Sequence, residues 1–133
     1  MMQHTVFLFG EAEKGAFCTP LLIRSLVQLA HTLGHPPENS MGITYGVQAI
    51  LYERELIFYR VKEEGFSVSD YMQGMRVLDN HNIIRDLSAI CIPGVGDQEI
   101  IEAASNICLK RSSLLVVSDK DLYDFLTDGR VEF

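Results

Sequence analysis

The sequence predicts an α/β fold in which a parallel sheet is covered by helices on both faces. Three observations carry that expectation. Four short apolar runs, Thr5 to Phe9, Leu56 to Val61, Ala89 to Ile92 and Leu114 to Val117, alternate with segments of helical period. Each run ends in a polar or glycine-bearing loop. Val, Ile and Leu fill the third and fourth runs, as strands buried on both sides require.

The elements follow in chain order. After the first strand, Gly10 to Cys18 forms a loop, and Thr19-Pro20 supplies the residues favoured at a helix cap and first turn. Leu22, Leu26, Leu29, Ala30 and Leu33 then share one helical face, and Gly34 ends it. Residues Ile43 to Glu53 fit either a helix, through Ile43, Val47, Ile50 and Leu51, or an alternating strand. Helix is the better reading, because Glu53-Arg54 lacks the glycine or asparagine that a tight hairpin needs. Ser67 with Asp70 has the spacing of a capping box, and Val68, Tyr71, Met72, Met75 and Leu78 continue as a helix. The third strand, Leu87 to Ile92, is broken by Pro93-Gly94-Val95-Gly96, and Ile100, Ile101, Ala104, Ile107 and Cys108 line a fourth helix. A last strand leads into a closing helix from Ser118 to Leu126, stopped by Asp128-Gly129.

Right-handed crossovers make a doubly wound sheet of about four parallel strands, Rossmann- or flavodoxin-like in the order 2-1-3-4, the default topology. With no repeat, low-complexity tract or linker, residues 1–133 read as a single domain. That order sets the loops after strands one and three side by side, at the switch point where open α/β sheets bind ligands.

Composition excludes several function classes. A net charge of -7, with Lys110-Arg111 as the sole adjacent basic pair, offers no stripe to neutralise nucleic-acid phosphates. The chain has no apolar stretch of membrane-spanning length and no targeting segment before the first strand. Cys18, Cys91 and Cys108 are an odd, unpaired set, which points to a reducing, cytoplasmic setting. The cysteines and histidines lack zinc-ligand spacing, so no metal site is expected from them.

The candidate chemistry lies in three loops. Gly94-Val95-Gly96-Asp97 joins a strand to a helix, where free N–H groups favour an anion. A dinucleotide fingerprint would need a glycine where Glu99 stands, and Asp97 is well placed to cap the helix, competing for the N–H groups a phosphate would use. Between Gly10 and Gly15, Glu11, Glu13 and Lys14 suit acid-base catalysis or a hydrated Mg²⁺. Glu63, Glu64, Asp97 and Asp119 join them at one rim, which repels a bare anion and favours a metal-bridged phosphate or a cationic or neutral ligand. Ser118 and Asp119 can hold a ligand, although Ser118 with Asp121 is also a helix-start pattern. Cys18, ahead of Thr19-Pro20 and near Lys14, would feel a helix N-terminus that lowers a thiol pKa, but no histidine is placed as its base. Phe58-Tyr59 must set one ring on each face of its strand, leaving an aromatic patch if that strand is an edge.

The expectation is therefore a small metabolite or nucleotide-like ligand at the strand ends. Gly10, Gly94, Gly96, Asp97, Ser118 and Asp119 would bind it, and Glu11, Glu13 and Lys14 would perform any carboxylate- or Mg-assisted hydrolysis or transfer. The competing expectation is a non-catalytic homodimerisation module, built on an edge strand or on the Ile43 to Glu53 helix.

Overall fold

The computed structural model describes residues 5–80 and 84–128. It is an α/β protein whose elements run β1 (Thr5–Gly10), β2 (Pro20–Ile23), α1 (Leu26–Leu33), α2 (Gly42–Leu51), β3 (Glu55–Arg60), α3 (Val68–Leu78), β4 (Leu87–Cys91), α4 (Gln98–Arg111), β5 (Leu114–Val116) and α5 (Asp119–Asp128). Gly129, expected to stop the last helix, lies outside the described residues, as do His4 and His81.

Among the described residues the sheet has five strands in the order β2-β3-β1-β4-β5. β1 pairs in parallel with β3 on one side and β4 on the other, β4 pairs in parallel with β5, and β2 runs antiparallel to β3. All six residues of β1 are buried, and their period-2 alternation feeds two cores. Val6 and Leu8 join Leu56, Phe58, Ala89 and Cys91 under α1, α2 and α5. Phe7 and Phe9 join Tyr59, Ile90 and Ile92 under α3 and α4.

The four-stranded, all-parallel 2-1-3-4 sheet is thus corrected to five strands with one antiparallel pair. The difference lies at residues 19–25, read above as the start of a helix. Pro20–Ile23 is a strand whose Leu21 and Ile23 oppose Phe58 and Leu56. It supplies partners to a β3 edge that would otherwise bury polar backbone groups unpaired. The true helix cap is Ser25, whose Oγ accepts from the Gln28 N–H at 3.0 Å. Leu22 and Leu26, expected on the buried face, are 40% and 41% exposed, whereas Leu29 and Leu33 are buried.

Gln28 also finishes the sheet. Its Oε1 accepts from the Arg24 N–H at 2.7 Å and its Nε2 donates to the Leu22 carbonyl at 3.0 Å. Leu22 stands opposite Ile57 and its backbone groups point away from β3, so one side-chain amide occupies the edge where another strand would dock. Pro20 removes a further edge donor.

The capping box expected at Ser67 and Asp70 is also corrected: the Ser67 hydroxyl turns back to the Glu63 backbone, and Asp70 accepts from the Lys62 N–H at 2.9 Å. The expected aromatic edge patch is absent, because β2 covers β3 and both Phe58 and Tyr59 are buried.

Candidate functional site

The loops that follow β1, β3 and β4 do not stand apart around an open crevice. The Glu11 N–H donates to Glu64 Oε1 at 2.9 Å, and the Glu64 N–H donates to Glu11 Oε2 at 2.8 Å, a reciprocal lock across two loops. The same Glu64 carboxylate accepts from the Met41 and Gly42 N–H groups at 2.6 and 3.1 Å, at the start of α2. A protein carboxylate therefore sits where an external anion would bind a helix N-terminus. Burial pushes the Glu64 carboxyl above the usual range, outweighing the three backbone donors that pull it down. Gly10 and Gly42 abut so closely that a Cβ on either would lie 2.8 Å from the other's Cα, which is why neither position carries a side chain.

The starts of α4 and α5 are likewise capped by side chains of the chain itself. Asp97 Oδ1 accepts from the Ile100 N–H at 3.2 Å on α4. At α5, the Ser118 hydroxyl accepts from the Asp121 N–H at 3.2 Å, and Asp121 Oδ2 accepts from the Val117 N–H at 3.1 Å. Gly94 has a positive φ of 77° and its carbonyl lies against Gly65, while Gly96 faces open space. Glu13 turns away from Glu11, accepting from the His35 N–H at 2.8 Å, and Lys14 is exposed. The proposed catalytic trio Glu11, Glu13 and Lys14 thus has no common focus. Among the described residues no group of three or more His, Cys, Asp and Glu side chains converges as a metal ion requires.

Cys18 sits elsewhere than its sequence context suggests. No helix begins at Thr19-Pro20, and the thiol, on a residue at φ 51°, neighbours the Asp70 carboxylate and the Tyr59 hydroxyl. Burial and then the Asp70 hydrogen bond and charge raise the Cys18 pKa, the reverse of the shift expected from a helix N-terminus. Burial also raises the thiols of Cys91 and Cys108, the latter to about 11. All three are protonated, weakly nucleophilic thiols at neutral pH.

A different concavity opens between α2 and α5. It encloses about 250 Å³ and is lined by Met41, Thr44, Tyr45, Gln48, Tyr52, Asp119, Leu122, Tyr123 and Leu126. Its head is held by Tyr45, a buried residue whose hydroxyl neighbours the Asp119 carboxylate; burial first, then that carboxylate, raises the phenol pKa. At its far end Arg54 donates to the carbonyls of Tyr52 and Leu126, at 3.2 and 3.1 Å, and stacks on Phe125 at 5.3 Å. The cleft is therefore braced at both ends, with apolar walls and a few polar groups. Comparison with protein-family models, curated proteins and solved structures finds no match to this chain.

Of the residues singled out from sequence, Asp119 lines this cleft, whereas Glu11 and Gly10 belong to the loop lock. Sequence reasoning missed Tyr45, Tyr52 and Tyr123, because a tyrosine on an amphipathic helix reads as core packing. The i, i+7 spacing of Tyr45 and Tyr52 was the available signal.

Proposed function

We propose that the chain binds a small organic molecule in the cleft between α2 and α5, rather than a nucleotide phosphate at the switch point. What carries the reading is the contrast between the two places. At the rim, Glu64, Asp97 and Ser118 already accept from backbone donors at the starts of α2, α4 and α5. Between α2 and α5, space of ligand size remains, with the Tyr45 and Asp119 polar groups at one end. A shared function with a catalytic step is not needed for this reading, since the acids of the first loop are engaged with backbone donors.

The homodimerisation reading is less well supported at the β2 edge, where Gln28 occupies backbone groups a second strand would use. The test is saturation-transfer NMR of fragment-sized aromatics against the native chain and Thr44→Trp. Thr44 is an exposed residue of the cleft wall, so the larger ring obstructs the opening without entering the core. Binding that disappears in the variant supports the reading. Equal binding by both proteins, or binding by neither, overturns it.

A further inference from the structure

We infer that the molecule taken by the α2/α5 cleft is an organic monocation, its ammonium head on Asp119 and its apolar body among Tyr45, Tyr52 and Tyr123. This rests on the reading of the cleft as a ligand site and adds the charge of its occupant.

The side chains lining the cleft include one acid, Asp119, and no Lys, Arg or His. The charges acting most strongly on the Tyr45 hydroxyl at its head include two carboxylates, Asp119 and Glu64. Lys120 pairs with Asp124 at 2.8 Å, and Arg54 lies at the opposite end, on the Tyr52 and Leu126 carbonyls and the Phe125 ring. At the start of α5 the Ser118 hydroxyl accepts from the Asp121 N–H, and Asp121 in turn accepts from the Val117 N–H ahead of the helix. A carboxylate beside phenol rings is the arrangement that recognises ammonium, by ion pairing and by cation–π attraction. An anionic ligand would meet Asp119 head-on, on a chain of net charge -7. The volume of about 250 Å³ equals that of roughly eight waters, room for one ring with a short chain.

The five tyrosines make the test selective, because Tyr45, Tyr52 and Tyr123 line the cleft while Tyr59 and Tyr71 lie in the core beyond the sheet and serve as internal references. Phenethylamine, 2-phenylethanol and phenylacetate, matched in body and differing in charge, are titrated into the full chain with ring-labelled tyrosine, and NMR shifts are followed. Phenethylamine should shift the three cleft tyrosines, with an affinity at least tenfold tighter than the alcohol, and phenylacetate should not bind. Asp119→Asn, an exposed position, should bring the amine to within twofold of the alcohol. If amine and alcohol bind alike, or if Asp119→Asn preserves the amine's advantage, the charge inference fails while the cleft remains a ligand site. If no probe moves the three tyrosines, the cleft reading itself fails. Shifts of the same tyrosines with protein concentration alone would assign the cleft to a second copy and overturn the inference.

Discussion

Replacing Gln28 by Ala should both destabilise the chain and unmask a sheet edge. The side-chain amide accepts from the Arg24 N–H at 2.7 Å and donates to the Leu22 carbonyl at 3.0 Å, bonds that Ala cannot make. A hydrogen bond contributes about 0.5–1.5 kcal/mol net, and these groups are exposed enough for water to replace part of the loss, so a total of roughly 1–2 kcal/mol is expected. The Ser25 cap survives, because it uses the Gln28 backbone N–H rather than the side chain. The Leu22 and Arg24 backbone groups then become free to pair with another chain, beside a Leu22 side chain that is already 40% exposed. Urea unfolding measures the first effect as a lower midpoint at unchanged slope, and sedimentation velocity across a hundredfold concentration range measures the second. Gln28→Glu keeps the acceptor for Arg24 but sets a carboxylate against the Leu22 carbonyl, so its stability should fall between the native chain and the alanine variant. A Gln28→Ala protein with native stability and native oligomeric mass would refute the role assigned to this side chain.

Three further perturbations probe the loop lock, the helix packing and the thiol. Glu64→Ala removes the acceptor of the Glu11, Met41 and Gly42 N–H groups and should cost about 2–3 kcal/mol at roughly 1 kcal/mol per donor. Because the folded Glu64 pKa lies above its unfolded value near 4.3, its titration stabilises the folded state below about pH 4.3, and that contribution is lost as pH rises through the folded pKa. The stability of the native chain relative to Glu64→Gln should therefore grow on acidification from pH 7 to pH 4; a flat or opposite trend in urea titrations contradicts the burial that sets this shift. Gly74→Ala would place a Cβ 2.3 Å from Phe9 Cε2 and 3.1 Å from Tyr59 Cε1, in rings that are fully buried. Overpacking of about 1–3 kcal/mol should exceed the ~1 kcal/mol gained in helix propensity, and an unchanged or higher urea midpoint would argue against so tight an α3 contact. Asp70→Asn should lower the Cys18 pKa and speed its alkylation by iodoacetamide at pH 8 by roughly three- to tenfold, since one pKa unit is a tenfold change in thiolate. Peptide mapping separates Cys18 from the buried Cys91 and Cys108, and an unchanged Cys18 rate would mean that Asp70 does not govern the thiol.

Periodicity and composition alone determined the α/β class, the runs that became β1, β3, β4 and β5, and the helices over α2, α3, α4 and α5, because each is a local pattern of apolar spacing repeated over several residues. The Asp97 and Ser118 caps were legible for the same reason: a cap joins residues three apart. Thr19-Pro20 reads as a helix start, yet the cap is Ser25, because residues 20–23 are drawn into pairing with β3. Glu64 reaches Glu11 across 53 positions, and Tyr45 reaches Asp119 across a still longer stretch. Such pairs leave no trace in local spacing, because loop conformation and helix packing decide which distant side chains meet. The tertiary structure alone therefore decided that Glu11, Glu64 and Asp97 accept from the chain's own backbone donors, and that a cleft opens between α2 and α5.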